Sequence, residues 1–290
     1  METNKDTIVW AVDPFEDGLK PSEASLGILR GRHVLPVAIS TSDHEIKKPQ
    51  LDRYLKDLDF IPDQPTEVLI AETHHREDFI KKLVLYALDQ NASCIALTSR
   101  GLKGIDRLIT GSFAEKLLDV SPLPVLFLTD KRFNQTGKAF FSTDFSEQSE
   151  TAFRNFIQFC KGHVLEIVLF YVEHPSTAAV AASAIGGVPV ISPNEYFEIS
   201  EIDQRNMERW VQKYSSADLA VKISPLIKDA TTSISKEVMK AWDQEHVELF
   251  GISSSKTSWQ RTLYGSVAHD VFMNKKSPVW IWGINANEPI

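Results

Sequence analysis

TSRGLKGIDRLITGS, residues 98–112, lies between an apolar run, CIAL, and a segment with helical patterning, FAEKLLDV. Gly101 and Gly111 leave main-chain N–H groups unobstructed by a Cβ, and Ser112 stands where a helix begins. Such a turn cradles a phosphate or simply joins a strand to a helix. In the second role Ser112 and Glu115 form a capping box, worth about 1 kcal/mol of helix stability with no ligand present. Either way the stretch predicts a strand, a small-residue turn and a helix, which is the repeating unit of an α/β sheet.

Outward from that turn, the first half of the chain reads IVWAVD, HVLPVAIS, TEVLIAE, CIALTS and PVLFLT, five apolar runs separated by segments of helical period. The order recurs from Lys138 as KAFFSTD, HVLEIVLFYVE, LAVKISPLI, VELFGIS and PVWIWG, with SEQSETAFRNFIQFC and SKEVMKAWDQEH between them. Near-continuous apolar strands alternating with helices imply right-handed crossovers and a mostly parallel sheet covered on both faces. The expected fold is therefore two tandem three-layer α/β/α domains. The polar segment TDKRFNQTGK, residues 129–138, carries no apolar period, which places the domains at 1–136 and 137–290. The second copy is longer, and the surplus falls around residues 178–197, mostly within the uncharged stretch 175–194, an insertion placed to cover a pocket.

The totals agree with two domains: 290 residues, 43% of them hydrophobic, suffice for two cores. A net charge of −8 with no basic run opposes a nucleic-acid partner. The start, METNKDTIVW, lacks the pattern of a signal peptide, no run is apolar enough to span a membrane, and Cys94 and Cys160 read as small buried residues. The expected place is a reducing cytoplasm.

A strand, G-x9-G-S and a helix, with Asp13 ending the first strand and Asp144 its counterpart, resembles the universal stress protein family in its tandem form. The family signature G-x2-G-x9-G-[ST] is met by Thr98-x2-Gly101-x9-Gly111-Ser112 at every position but the first. In the second half Gly251 takes the first place and Ser254 the second, with ten residues before Gly265-Ser266. The resemblance implies five-stranded sheets of order 3-2-1-4-5, paired through their last strands as an intramolecular pseudo-dimer, with a homodimer of chains as a further option. It also implies binding of an adenine nucleotide, ATP (with Mg) or AMP, and no redox cofactor. Carried over by position, the nucleotide would meet Asp13, Val37, Ala38, Thr98, Arg100, Gly101, Gly111, Ser112 and Phe113. A weaker second site would use Asp144, Val172, Gly251, Ser253, Ser254, Gly265 and Ser266.

Neither G-x4-G-K-[ST] nor G-x-S-x-G occurs, so no catalytic residue is assigned and the expectation is a stress-response sensor or signalling module that binds without turnover. His74 and His75, near Glu72, Glu77 and Asp78, read as a polar exit from a strand rather than a metal site. Two alternatives stand beside this reading: an interaction protein whose degenerate sites take an apolar ligand or a protein partner, and a slow ATP hydrolase.

Overall fold

A computed structural model describes residues 7–12, 20–40, 48–62, 66–70, 75–98, 113–173, 201–227, 233–253, 266–273 and 276–283. The strands are β1 (Thr7–Val12), β2 (His33–Ser40), β3 (Glu67–Ile70), β4 (Cys94–Thr98) and β5 (Val125–Leu128), then β6 (Lys138–Ser142), β7 (Glu166–Glu173), β8 (Ala220–Ile227), β9 (Leu249–Ser253) and β10 (Val279–Trp282). Each falls on one of the apolar runs named above. The helices are α1 (Glu23–Leu29), α2 (Lys48–Asp57), α3 (Arg76–Asp89), α4 (Phe113–Val120), α5 (Glu147–Cys160), α6 (Glu201–Tyr214), α7 (Ile234–Glu245) and α8 (Ser266–Met273).

The ten strands among the described residues belong to one sheet, ordered β3-β2-β1-β4-β5-β10-β9-β6-β7-β8. Each half therefore has the order 3-2-1-4-5 within itself. Neighbours within a half run parallel, whereas β5 and β10 run antiparallel, with Leu126 opposite Trp280. That reversal has a geometric consequence: the carboxyl end of the first half's strands and the amino end of the second half's strands lie along the same rim.

Strand side chains alternate between two cores, each continuous across both halves. One holds Trp10, Ala38, Ala96, Phe141, Leu169 and Trp280 beneath α1, α2, α5 and α6; the other holds Val37, Ile95, Phe127, Phe140, Phe250 and Ile281 beneath α3, α4, α7 and α8. The result is three layers, with both faces of every central strand buried, which is why the strands are apolar throughout rather than alternating. Cys94 and Cys160 are buried and form no disulfide.

Local signals start the helices. The Ser22 side chain accepts from the N–H of Ser25 at the start of α1, and Ser146 accepts from Ser149 at the start of α5, each satisfying an amide the helix leaves unpaired. A polar connection runs from Leu128 to Lys138, and the buried carboxylate of Glu248 fixes its end by accepting from the N–H groups of Thr136 at 2.9 Å and Gly137 at 3.1 Å. Gly137 has φ +68°, a turn that a Cβ would strain.

Candidate functional site

Open α/β sheets take their ligands at the carboxyl ends of the strands, so each half has a mouth at the ends of β1 and β4, or of β6 and β9. Asp13, Arg100, Gly101, Gly111 and Ser112 lie outside the described residues, as do Ser254 and Gly265. Val37, Ala38, Thr98 and Phe113 of the first half lie within them, as do Asp144, Gly251 and Ser253 of the second, with the backbones of Val172 and Ser266. His74 and Glu72 also lie outside. Among the described residues, no group of three or more His, Cys, Asp or Glu is arranged to hold a metal, and no helix is long and apolar enough to cross a membrane.

In the first mouth, Val37 and Ala38 end up fully buried on opposite faces of the sheet, within the two different cores. Thr98 replaces the first glycine of the signature, and the structure gives that side chain a partner: its hydroxyl accepts from the indole N–H of Trp10 at 3.3 Å. Trp10 belongs to the core beneath α1 and α2, whereas Phe113 and the rest of α4, the helix that follows the glycine turn, pack on the other core. The Thr98 side chain therefore stands on the sheet face opposite α4, and its hydroxyl serves a buried indole that would otherwise lack an acceptor.

Strand register decides which residues of the two halves correspond. Ala96 lies opposite Trp10 on β1 and Leu126 on β5; Gly251 lies opposite Phe141 on β6 and Trp280 on β10. Gly251 is thus the counterpart of Ala96, and Ser253 that of Thr98. This corrects the placing of Gly251 at the head of the second motif. The reason is packing: a Cβ on Gly251 would come within 2.7 Å of both the Phe141 and the Phe156 rings, so the glycine makes room for two aromatic side chains in mid-strand. Aligning ALTS with GISS end to end would have revealed the shift from sequence.

The same register sets Tyr171 in the place of Ala38 and Phe170 in that of Val37, one and two residues before the candidate Val172. Phe145, in the left-handed region at φ 56°, presents its ring to Tyr171 (5.1 Å between centroids) and edge-on to the buried Trp210 (5.1 Å). Trp210 in turn stacks on Phe153 at 5.3 Å. Where the first half has the methyl group of Ala38, the second has an aromatic cluster. Sequence reading missed this cluster because its members come from four elements.

The polar residues of the second mouth are also engaged locally. Asp144 Oδ1 accepts from the N–H of Ser146 at 3.0 Å and from its hydroxyl at 2.7 Å, bracing the residue that caps α5. Thr143 and the buried Ser149 share a hydrogen bond of 2.9 Å, and the Ser253 hydroxyl donates to Ser149 at 3.5 Å. Ser22, the cap of α1, lies nine residues beyond Asp13, whereas Ser146 lies two beyond Asp144. The short turn that occupies Asp144 is accordingly a feature of the second half.

Residues 33–128 match the model of the Universal stress protein family. No curated relative matches the chain. Among solved structures, the chain is similar to a universal stress protein from Archaeoglobus fulgidus, with a TM-score of 0.54 and 15% identity over 96% of this chain and 98% of that one. It is also similar to a functionally unknown protein from Pseudomonas aeruginosa, with a TM-score of 0.57 and 12% identity over 96% and 92% of the two chains. At these identities the likeness establishes the fold across both halves.

Proposed function

We propose, for a chain whose first half carries the Universal stress protein family match and whose two halves share one fold, that it acts in the stress response as a nucleotide sensor with a single working site. The site is in the first half. An adenine nucleotide, ATP with Mg or AMP, would settle on the main-chain amides around Gly101 and Gly111-Ser112, with Asp13 toward the base. Binding alone would stabilise the occupied conformation and so alter what partner the chain engages, with no chemical step. We place it in the cytoplasm, its two halves forming an internal pseudo-dimer through β5 and β10.

The observation that carries the one-site reading is the contrast between Ala38 and Tyr171 at matching register positions. The first half has only the methyl group of Ala38 at this register position, whereas in the second Tyr171, Phe145 and Trp210 pack their rings together there. Thr98 supports the reading too, because its hydroxyl is directed to Trp10.

Native mass spectrometry of freshly purified protein, followed by calorimetry with ATP, ADP and AMP, tests the proposal. The expected result is one nucleotide per chain, lost in Gly101→Val and retained in Gly265→Val. Absence of nucleotide from the purified protein together with no heat from any of the three would overturn it. Two nucleotides per chain would overturn the one-site reading while leaving nucleotide binding in place.

A further inference from the structure

Among the described residues the sheet has two outer edges, β3 and β8. An edge strand offers a row of unpaired N–H and C=O groups on which another chain can pair. The β3 edge is also apolar, with Ile70 63% exposed and Ile61, shortly before the strand, 89% exposed. Left bare, it would be a template for association.

Two lysines interrupt it. Lys48, at the start of α2, donates to the carbonyl of Thr66 at 3.2 Å, and Lys82 of α3 donates to the carbonyl of Ile70. Thr66 and Ile70 are four residues apart, so their carbonyls point the same way in an extended chain, as that of Val68 does between them. α2 and α3 pack on opposite faces of the sheet, so the two ammonium groups arrive from both sides and cap both ends of the outward row. Asp52 holds Lys48 at 3.4 Å and accepts from the Thr66 hydroxyl, which fixes the first of these caps.

The β8 edge is interrupted by different means. The Ser215 hydroxyl accepts from the N–H of Val221 at 3.2 Å and donates to the carbonyl of the same residue at 3.4 Å, so one side chain takes up both of its outward groups. Pro225, four residues on and therefore facing the same way, has no N–H to offer.

We propose that both free edges of the sheet are guarded against strand addition, by Lys48 and Lys82 on β3 and by Ser215 and Pro225 on β8. The fifth strand of each half is already consumed by the β5–β10 pairing. A larger assembly of this chain would then be built on helix faces and loops, not by extending the sheet.

The test compares wild type with Lys48→Ala/Lys82→Ala by light scattering after size exclusion over a concentration series, together with amide hydrogen exchange. The expected result is a concentration-dependent rise in mass for the double variant that wild type does not show, with new protection at the amides of Val68 and Ile70. An unchanged mass series overturns the proposal, and so does association that leaves those amides unprotected. If the lysine variant loses its fold, Ser215→Ala/Pro225→Val decides by the same mass series, with the amide of Ile223 as the reporter.

Discussion

The guanidinium of Arg32 lies 4.0 Å from the centre of the Phe159 ring, joining the turn after α1 in the first half to the last turn of α5 in the second. The same buried side chain donates through Nε to the carbonyl of Ile28 at 3.0 Å and through a terminal nitrogen to the carbonyl of Phe159. Carbonyls in the last turn of a helix have no partner within it, and the helix end is negative, so a cation is well matched to this position. Arg32 thus ties the halves together on the α1 and α5 face of the sheet.

Arg32→Ala is expected to cost about 2–3 kcal/mol, because it leaves a buried carbonyl unpaired and removes the packed stem of the arginine. Arg32→Lys should fall between the two, since an ammonium cannot bridge both carbonyls as the planar fork does. Urea denaturation followed by tryptophan fluorescence reads the difference. Equal stability of all three proteins would show that the halves do not depend on this contact.

Gly251→Ala should destabilise by about 1–3 kcal/mol, the usual cost of forcing extra volume into a filled core. The cause is the contact with Phe141 and Phe156, so Gly251→Ala with Phe156→Leu should recover part of the loss. Thermal melts of the single and double variants measure it. Nucleotide stoichiometry should be the same in both.

Thr98→Val keeps the shape of the side chain but removes the acceptor for the Trp10 indole, and is expected to cost about 1–3 kcal/mol as a buried donor is left unpaired. Thr98→Ser should be milder because it keeps the hydroxyl. Denaturation curves check the order. An inverted order, with serine worse than valine, would mean that the methyl group rather than the hydroxyl matters.

His163 and Glu248 should tilt stability with pH in opposite directions. The His163 imidazole is pushed down from 6.5 to about 4, first by burial and then by the Arg32 guanidinium. Its contribution is full above 6.5 and is lost as the pH falls toward 4, because the unfolded chain binds the proton more readily. His163→Gln should flatten the stability curve across that window.

For Glu248, burial raises the carboxyl above its usual 4.5, and the Gly137 and Thr136 amides oppose the shift. A raised acid contributes most below its ordinary value and loses that contribution as the pH rises through the folded value. Glu248→Gln keeps an acceptor for both amides, so its stability relative to wild type should improve as the pH rises from 4 to neutrality. Chemical denaturation at a series of pH values tests both residues, and a Glu248→Gln stability that falls relative to wild type with rising pH would contradict the assignment for Glu248.

Much of this architecture is legible in the order of the residues. Ten apolar runs mark the ten described strands, and the central ones are apolar at nearly every position because both of their faces are covered. The duplication shows in the recurrence of those runs, and the correspondence of Asp13 with Asp144 follows from their common place after the first strand of each copy. Serines such as Ser22 and Ser146 announce the helices they cap, since a cap acts over three residues and is complete within its own stretch of chain.

Register, burial and neighbours across the sheet were decided only in three dimensions. Gly251 reads as part of a phosphate turn until Phe141 and Phe156 are found against it, and Thr98 reads as a defect until Trp10 is found at its hydroxyl. Arg32 carries no sequence signal at all: one of two arginines after a helix, it looks like surface until α5, more than a hundred residues later in the chain, delivers Phe159. Periodicity and capping are set by neighbours along the chain, so the sequence alone determines them. Which side chain fills a given space depends on atoms brought together by the whole fold, and only the tertiary structure assigns it.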